Sequence, residues 1–352
     1  MKTVDIYDIG YDDSFLPDEE NPLLTIARVF AQHKEQFSIC TGEIILSAEI
    51  SGKYRYCIET SEDLPVVGDW VLVSIHDELA IIHRLLPRRS ILARKSVHSS
   101  SERQLIVANV DYAFIVQGLD RDFNLNRLDR YIAMSCAGKI IPIIILNKAD
   151  LLATEEIEEK KQLVVSRHPD ISIIISSFTQ DESIQEIKNA MQAKKTYCFV
   201  GSSGVGKSTL INKLFGKEIL ITTTLSASTN KGQHTTTHRQ LFVMNEGPLV
   251  IDTPGMRELG VIGAMEGVEN TFKKIYEKAD RCKFKDCTHL NEVGCAVKEA
   301  LESGEINQDE FASYKKLQKE ESYNSSTMLE RRQKDKQFGK MVKQVMSNKK
   351  NR

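Results

Sequence analysis

The sequence predicts a multidomain α/β protein with a small N-terminal β-barrel, a central, mostly parallel sheet and a C-terminal α-helical domain. Three observations support this prediction. Short apolar segments broken by turn residues fill residues 37–93, apolar strands alternate with amphipathic helices over 110–263, and three of the seven cysteines crowd into 282–295. A chain of 352 residues is long enough for two or three domains with separate cores.

The predicted barrel covers residues 37–93. Its five strands are FSIC, EIILSAEI, KYRYCIE, VVGDWVLVSI and LAIIHRLL. Five short strands over about 60 residues are typical of the OB-fold, which commonly binds nucleic acid. A β domain without a ligand is the alternative interpretation. Residues 1–36 form an N-terminal extension with no assigned role, and the polar residues 94–109 are predicted to be a linker.

The central domain is predicted to span residues 110–263. The apolar strands VDYAFIVQ, IIPIIIL, ISIIISS and TYCFV are separated by the helical segments NLNRLDRYIAMSCAG, EEIEEKKQLVVSRH and SIQEIKNAMQA. Buried strands that alternate with helices indicate a parallel sheet with helices on both faces.

A phosphate-binding loop follows the last of these strands. GSSGVGKST, residues 201–209, fits the pattern G-x-x-x-x-G-K-[ST] and precedes a predicted helix. Its glycines allow backbone N–H groups to face a phosphate. The candidate contacts are Gly201, Ser202, Ser203, Gly204, Val205, Gly206, Lys207, Ser208 and Thr209. Lys207 is expected to reach the β- and γ-phosphates and Ser208 to ligate Mg²⁺.

A second phosphate-side motif is GPLVIDTPG, in which Asp252 is expected to hold Mg²⁺ through water and Gly255 to donate a backbone N–H to the γ-phosphate. The polar loop KGQHTTTHRQ lies between the two motifs. In this interpretation a threonine hydroxyl of the loop completes the Mg²⁺ shell. Thr236 is the candidate, and Thr235 and Thr237 are the alternative ligands.

The run IIILNKADLL predicts that the base is guanine. The Asp150 carboxylate accepts hydrogen bonds from the two donors on one edge of guanine, whereas adenine presents an acceptor there. Asn147 is expected to fix the loop and the base, and the stem of Lys148 to lie along the ring. Ser176 and Ser177 are expected to lie behind the base as small residues that contact it. The sequence therefore predicts GTP and GDP with Mg²⁺ as ligands.

The order of these motifs is unusual, because the guanine motif precedes the phosphate loop, the switch loop and D-T-P-G. We interpret this order as a circular permutation, which preserves the contacts of a sheet whose termini lie close together. Catalysis is less well defined by the motifs. Met256 stands where many GTPases use a glutamine to orient water, and His234 is the candidate catalytic residue.

The C-terminal segment, residues 264–325, is predicted to be helical around CKFKDCTHLNEVGC. Three thiolates and one imidazole, from Cys282, Cys287, His289 and Cys295, supply the four tetrahedral ligands of one structural Zn²⁺. Residues 326–352 form a basic tail that favours an anionic partner or a solvated end. No run of about 18 apolar residues is present, and we expect a cytoplasmic protein without a membrane partner.

The combined motifs give a family resemblance over about residues 37–320. The chain resembles the bacterial circularly permuted GTPases of the RsgA/YjeQ family, on the permuted motif order, VVGDWV, LLPRRSILARK, KGQHTTTH and C-x4-C-x-H-x5-C. The resemblance implies an OB-fold, a GTPase domain and a zinc domain. It also implies that His234 is the switch histidine, and that a monomer binds the 30S subunit and 16S rRNA, but not DNA, during late assembly.

Three functions remain open on the sequence. The first is a GTPase stimulated by the small ribosomal subunit. The second is a GTP-gated RNA-binding module with little hydrolysis, which Met256 favours. The third, a P-loop ATPase or nucleotide kinase, requires N-K-A-D to be accidental.

Overall fold

The structure, a computed structural model, describes residues 5–15, 21–33, 36–95, 103–217, 239–244, 247–253 and 264–325. Predictions for His234, Thr235 to Thr237, Gly255, Met256 and the basic tail lie outside these residues. Among the described residues, no helix combines the length and apolar character that a bilayer crossing needs.

Thirteen strands are present in the described residues. They are β1 Thr25–His33, β2 Gln36–Cys40, β3 Ile45–Ile50, β4 Trp70–His76, β5 Leu79–Leu85, β6 Ile91–Lys95, β7 Arg103–Ala108, β8 Tyr112–Gly118, β9 Ile141–Asn147, β10 Ile173–Ile175, β11 Thr196–Val200, β12 Gln240–Val243 and β13 Leu249–Asp252.

Nine α-helices lie between or after these strands in the described part of the chain. They are α1 Gly52–Cys57, α2 Leu125–Ala137, α3 Thr154–Arg167, α4 Asp181–Ala190, α5 Lys207–Phe215, α6 Met265–Thr271, α7 Lys273–Ala279, α8 Ala296–Glu302 and α9 Gln308–Ser325. Short 3₁₀ helices occupy Ile6–Ile9, Asp13–Phe15, Ser61–Asp63 and Ala149–Leu151.

The N-terminal barrel is closed by five strands. They pair in the order β1, β2, β3, β5, β4, and β4 returns to pair with β1. Only β3 and β5 run parallel. The barrel interior is filled by small and β-branched side chains such as Val29, Ile39, Val73 and Ile82. This arrangement confirms the predicted OB-like barrel.

Two elements of the barrel differ from the sequence prediction. The predicted strand KYRYCIE is wrong, because Gly52–Cys57 forms α1, whose N-cap Ser51 accepts a hydrogen bond from the Tyr54 N–H. The fifth strand is instead β1, which lies before the predicted start of the barrel at residue 37. This strand lacks an alternation of apolar and polar residues because both of its faces are buried. Val29 packs in the barrel core, and Phe30 packs in the main core, the larger cluster shared with the central sheet and the C-terminal helices. Residues 94–109, predicted as a linker, include the end of β6 and all of β7.

The central sheet positions the phosphate and base motifs. Strands β10, β9, β8, β11 and β13 are parallel neighbours in that order, and β12 is antiparallel to β13. On its other side β12 pairs antiparallel with β1, so the central sheet continues into the barrel. Alternate residues of each strand face opposite helix layers, as the pair Ile144 and Ile145 illustrates. The carboxyl ends of parallel strands meet at one edge, so the loops after β8, β9, β10, β11 and β13 converge there.

The C-terminal helices are fastened to the central domain through a buried carboxylate. Asp129 on α2 is fully buried and accepts hydrogen bonds from Arg167 (2.5 Å), from the His168 Nε2 ring nitrogen (2.9 Å) and from Ser313 on α9 (2.6 Å). The side chain of Arg167 is itself 5% exposed. Three elements of the chain therefore share one buried charge.

We expect Asp129→Asn to lower the free energy of unfolding by about 3 kcal/mol, because a buried Arg167 would lose its buried counter-charge. Asp309→Asn is the matched control, since Asp309 also pairs with Arg167 but its side chain is 59% exposed; we expect less than about 1 kcal/mol for it. Urea denaturation of both variants measures the difference. Equal losses would show that burial does not set the strength of this network.

Candidate functional site

The guanine motif and the phosphate loop meet through one side chain. Asn147 ends β9, is fully buried, and its Nδ2 donates to the Val205 carbonyl oxygen at 2.7 Å. The Oδ1 atom of the same amide is buried with no hydrogen-bond partner in the described structure. The hydrogen bond from Asn147 to Val205 therefore ties the end of β9 to the phosphate loop.

The residues after Asn147 are those predicted to read the base. Lys148 adopts the left-handed backbone conformation and its Nζ pairs with Asp120 Oδ2 at 2.8 Å. The Asp150 carboxylate accepts from Ser177 Oγ at 3.1 Å and from the Phe178 N–H at 3.3 Å. These two contacts fix one carboxylate oxygen of an otherwise exposed residue. Asp150 is therefore held in place at the edge where a guanine would be read.

The serine loop lies directly behind this motif. Ser176 pairs by backbone hydrogen bonds with Leu146 and Ala149. Its Oγ is a second buried polar atom without a partner. A hydroxyl can donate or accept, so Ser176 Oγ, at the strand end next to Asn147, is chemically suited to a polar atom of a bound base.

The phosphate loop has the backbone that its glycines allow. Gly201 and Gly206 have φ of 148° and 100°, a region that favours glycine. A Cβ atom on Gly206 would lie 2.5 Å from Asn147 Nδ2, so the loop can approach the guanine motif only with glycine there. The helix α5 begins directly after Gly206, and the Gly206 N-cap makes no side-chain cap hydrogen bond. The first N–H groups of a helix lack partners within it and are suited to bind phosphate.

Two charged side chains predicted to bind phosphate and Mg²⁺ have well-defined surroundings. The Lys207 ammonium donates to the carbonyl oxygens of Gly201 (2.8 Å) and Ser202 (2.6 Å). Asp252, at the end of β13, is 5% exposed, and its burial raises the carboxyl pKa to about 6 although nearby Lys207 opposes the rise. A Mg²⁺ ion bound beside Asp252 would favour the ionised form of this carboxylate, because a nearby opposite charge lowers a carboxyl pKa.

Sequence reasoning missed two residues that follow β8, one on the loop and one in the first turn of α2. Asp120 pairs with Lys148, and Arg127, at the start of α2, donates to Ser202 Oγ at 2.5 Å and to Asp122 Oδ1 at 2.7 Å. Neither residue belongs to a nucleotide-binding motif. The available signal was their position just after the carboxyl end of a parallel strand, where ligands bind in α/β sheets.

The cysteine cluster brings its four candidate ligands together. The donor atoms of Cys282, Cys287, His289 and Cys295 all lie within 4.8 Å of one another. His289 Nδ1 lies 3.6 Å from Cys282 Sγ and 3.5 Å from Cys295 Sγ, and the two sulfurs are 3.9 Å apart. A tetrahedron with Zn–S of ~2.3 Å and Zn–N of ~2.0 Å has ligand separations of roughly 3.5–3.8 Å. The donor set and its spacing are compatible with a Zn²⁺ site.

Comparison with known proteins agrees with this geometry. The model of the RsgA GTPase family matches residues 85–262. The small ribosomal subunit biogenesis GTPase RsgA 2 of Lactiplantibacillus plantarum is 40% identical over 317 residues, covering 89% of each chain. Its namesake from Vibrio vulnificus is 39% identical over 336 residues, covering 95% of this chain and 91% of the other.

Solved structures match over most of the chain as well. YjeQ from Thermotoga maritima is 25% identical with a TM-score of 0.63, covering 84% of this chain and 97% of that chain. YloQ, described as a circularly permuted GTPase, has a TM-score of 0.63 and 24% identity, a likeness that concerns the fold alone. The chain is therefore a GTP-hydrolysing member of the RsgA GTPase family.

Proposed function

We propose that this chain is a cytoplasmic GTPase that acts in late assembly of the small ribosomal subunit, binding the 30S subunit and its 16S rRNA as a monomer. The observation that carries the nucleotide part is the contact between Asn147 and Val205, which joins the guanine motif to the phosphate loop. The ribosomal part is supported by relatives of about 40% identity that are named for small-subunit biogenesis.

In the proposed mechanism, Asn147, Lys148 and Asp150 hold the guanine, backed by Ser176 and Ser177. The loop from Gly201 to Thr209 encloses the phosphates, Lys207 leaves the Gly201 and Ser202 carbonyls for the β- and γ-phosphates, and the Gly255 N–H donates to the γ-phosphate. Ser208, Thr236 and, through water, Asp252 would hold Mg²⁺, which neutralises charge on the transferred phosphoryl group.

Hydrolysis requires a group that orients the attacking water, and the Met256 thioether cannot do so. We propose that a neutral His234 imidazole accepts a hydrogen bond from this water. Water then attacks the γ-phosphorus, the bond to the β-phosphate oxygen breaks, and GDP and phosphate leave. A site that lacks the glutamine is expected to turn over slowly until a partner completes it.

The outer domains are the proposed rRNA contacts. The barrel, with β1 included, would bind RNA together with residues 264–325, and the basic tail 326–352 would add phosphate contacts. Within the cysteine cluster, residues 282–295, Lys283 and Lys285 are exposed beside Phe284, which is 45% exposed. Cations beside an exposed aromatic ring suit single-stranded RNA, whose bases stack on such rings. Zn²⁺ held by Cys282, Cys287, His289 and Cys295 would fix this surface.

GTP turnover by purified protein, measured alone and with small or large ribosomal subunits, tests this function. We expect a rise of at least about tenfold with small subunits only, and its loss in His234→Ala. Turnover that no subunit raises would contradict the proposal. It would favour the alternative of a GTP-gated RNA-binding module, which Met256 supports.

A further inference from the structure

The phosphate loop has an exposed tip between two limbs that lie deeper in the domain. Gly201 and Val205 are buried and Ser202 is half-buried. Ser203 and Gly204, at the tip between them, are exposed. A loop of this shape binds phosphate tightly only if its backbone is already in position, because ordering the loop on binding costs conformational entropy. The contacts that hold each limb therefore bear on nucleotide affinity.

Each limb is held by a side chain from outside the loop. Asn147 holds the limb after the tip through the Val205 carbonyl oxygen, at 2.7 Å. Arg127 holds the limb before the tip, since its Nη1 donates to Ser202 Oγ at 2.5 Å. The carbonyl oxygen of the same serine accepts from Lys207 Nζ at 2.6 Å. Arg127 thus fixes a residue that in turn holds the phosphate-binding lysine.

The guanidinium of Arg127 is itself fixed by its surroundings. Arg127 lies in the first turn of α2, and its backbone N–H donates to Oδ1 of the N-cap residue Asn124 at 2.9 Å. Its Nη1 also donates to Asp122 Oδ1 at 2.7 Å. The Asp122 carbonyl oxygen accepts at 2.7 Å from the side-chain amide of Gln117, which is 2% exposed. These contacts reduce the entropy cost of holding Ser202 in one place.

The helix that carries Arg127 is anchored to the C-terminal helix α9. Asp129 on α2 accepts from Ser313 at 2.6 Å. The Arg130 guanidinium donates two hydrogen bonds to the Glu320 carboxylate, of 2.6 and 2.7 Å. Two-point contacts of this kind fix orientation as well as distance. Arg127 therefore projects from a helix whose position is set by packing and by these contacts.

From these contacts we infer that Arg127 is a positioning residue of the phosphate loop. It acts through Ser202, and it holds the first limb of the loop in the conformation that receives the β- and γ-phosphates. No contact between Arg127 and the nucleotide is needed. The inference rests on the nucleotide part of the proposed function and is independent of the ribosomal part.

Arg127→Gln tests this role in the full-length protein. We expect the dissociation rates of GTP and GDP both to rise by about tenfold, because a hydrogen bond from a charged donor to the loop is lost. KM for basal GTP turnover should rise while kcat stays within about twofold, as expected when ground-state and transition-state binding weaken equally. The preference for GTP over ATP should not change, since the guanine motif is intact. Stopped-flow release of fluorescent GTP and GDP analogues measures the rates.

Ser202→Ala separates positioning from direct attraction of the phosphates by the charge. This variant loses the hydroxyl that Arg127 contacts but keeps the backbone N–H, so it should raise the dissociation rates by a similar factor. In the Ser202→Ala background, Arg127→Gln should add less than about twofold, because the shared contact is already absent. Effects that multiply would show that the guanidinium acts on the phosphates directly, and they would refute a positioning role.

Arg103→Gln is the matched control. The Arg103 side chain is 34% exposed, as is that of Arg127, and it pairs with Glu62 at 2.8 Å, between β7 and a 3₁₀ helix of the barrel. This control should release both nucleotides at wild-type rates, and both arginine variants should melt within a few degrees of the wild type. Wild-type rates in Arg127→Gln overturn the inference. A wild-type protein that binds no GTP analogue would instead overturn the nucleotide part of the proposed function.

Discussion

Asp150→Asn is expected to weaken GTP binding by roughly a thousandfold or more. A carboxylate accepts from both guanine donors, whereas an amide places its own N–H against one of them, and sites built on such pairing reject the wrong partner strongly. The fold should persist, because the carbonyl oxygen of the introduced amide can still accept from Ser177 and the Phe178 N–H, as Asp150 Oδ1 does. Equilibrium binding of a fluorescent GTP analogue measures the change.

Xanthosine triphosphate provides the control for this variant. Xanthine carries a carbonyl where guanine carries its exocyclic amine, so the amide introduced by Asp150→Asn can donate to it. The variant should therefore prefer xanthosine triphosphate to GTP. Unchanged GTP affinity would remove Asp150 from base recognition. Effective competition of ATP with GTP in the wild type would instead favour the P-loop ATPase or kinase.

Cys282→Ser is expected to weaken Zn²⁺ binding by at least about a hundredfold. Four-ligand sites in small domains bind Zn²⁺ with ~10–16 kcal/mol, and one lost thiolate removes roughly a quarter of that. We expect structural loss to be confined to the loop of residues 280–295. The flanking helices pack into the main core through Phe272, Ile275, Val297 and Tyr314. Metal analysis and limited proteolysis, with and without a chelator, measure both effects.

Cys57→Ser is the control for the zinc prediction, because Cys57 is an exposed thiol on α1 and lies outside the cluster. It should retain one zinc per chain and wild-type resistance to protease. A Cys282→Ser protein that retains full zinc would show that the cluster is not the metal site. Cleavage spread over α9 would show that the helices depend on the metal.

The sequence predicted the features whose interactions are local in the chain. The strand, loop and helix around Gly201 to Thr209 are consecutive, and so are the strand and turn around Asn147. The cysteine cluster also lies within a short stretch, so its ligand spacing was readable. In each case the residue types needed at fixed spacing are visible without knowledge of the fold.

Only the tertiary structure decided the features that depend on distant contacts. Arg28 reaches Thr196, 168 residues along the chain, and no local pattern marks it as the residue that joins barrel to GTPase domain. The strand β1 escaped detection because both its faces are buried, so it lacks the alternation of a half-buried strand. The helix α1 depends on the cap that Ser51 provides. The ion pair of Asp120 with Lys148 forms because the sheet brings the ends of two strands together. Local secondary-structure propensity and the spacing of motif residues can be derived from the sequence. Burial of side chains and pairing of residues from different domains arise only when remote segments pack together.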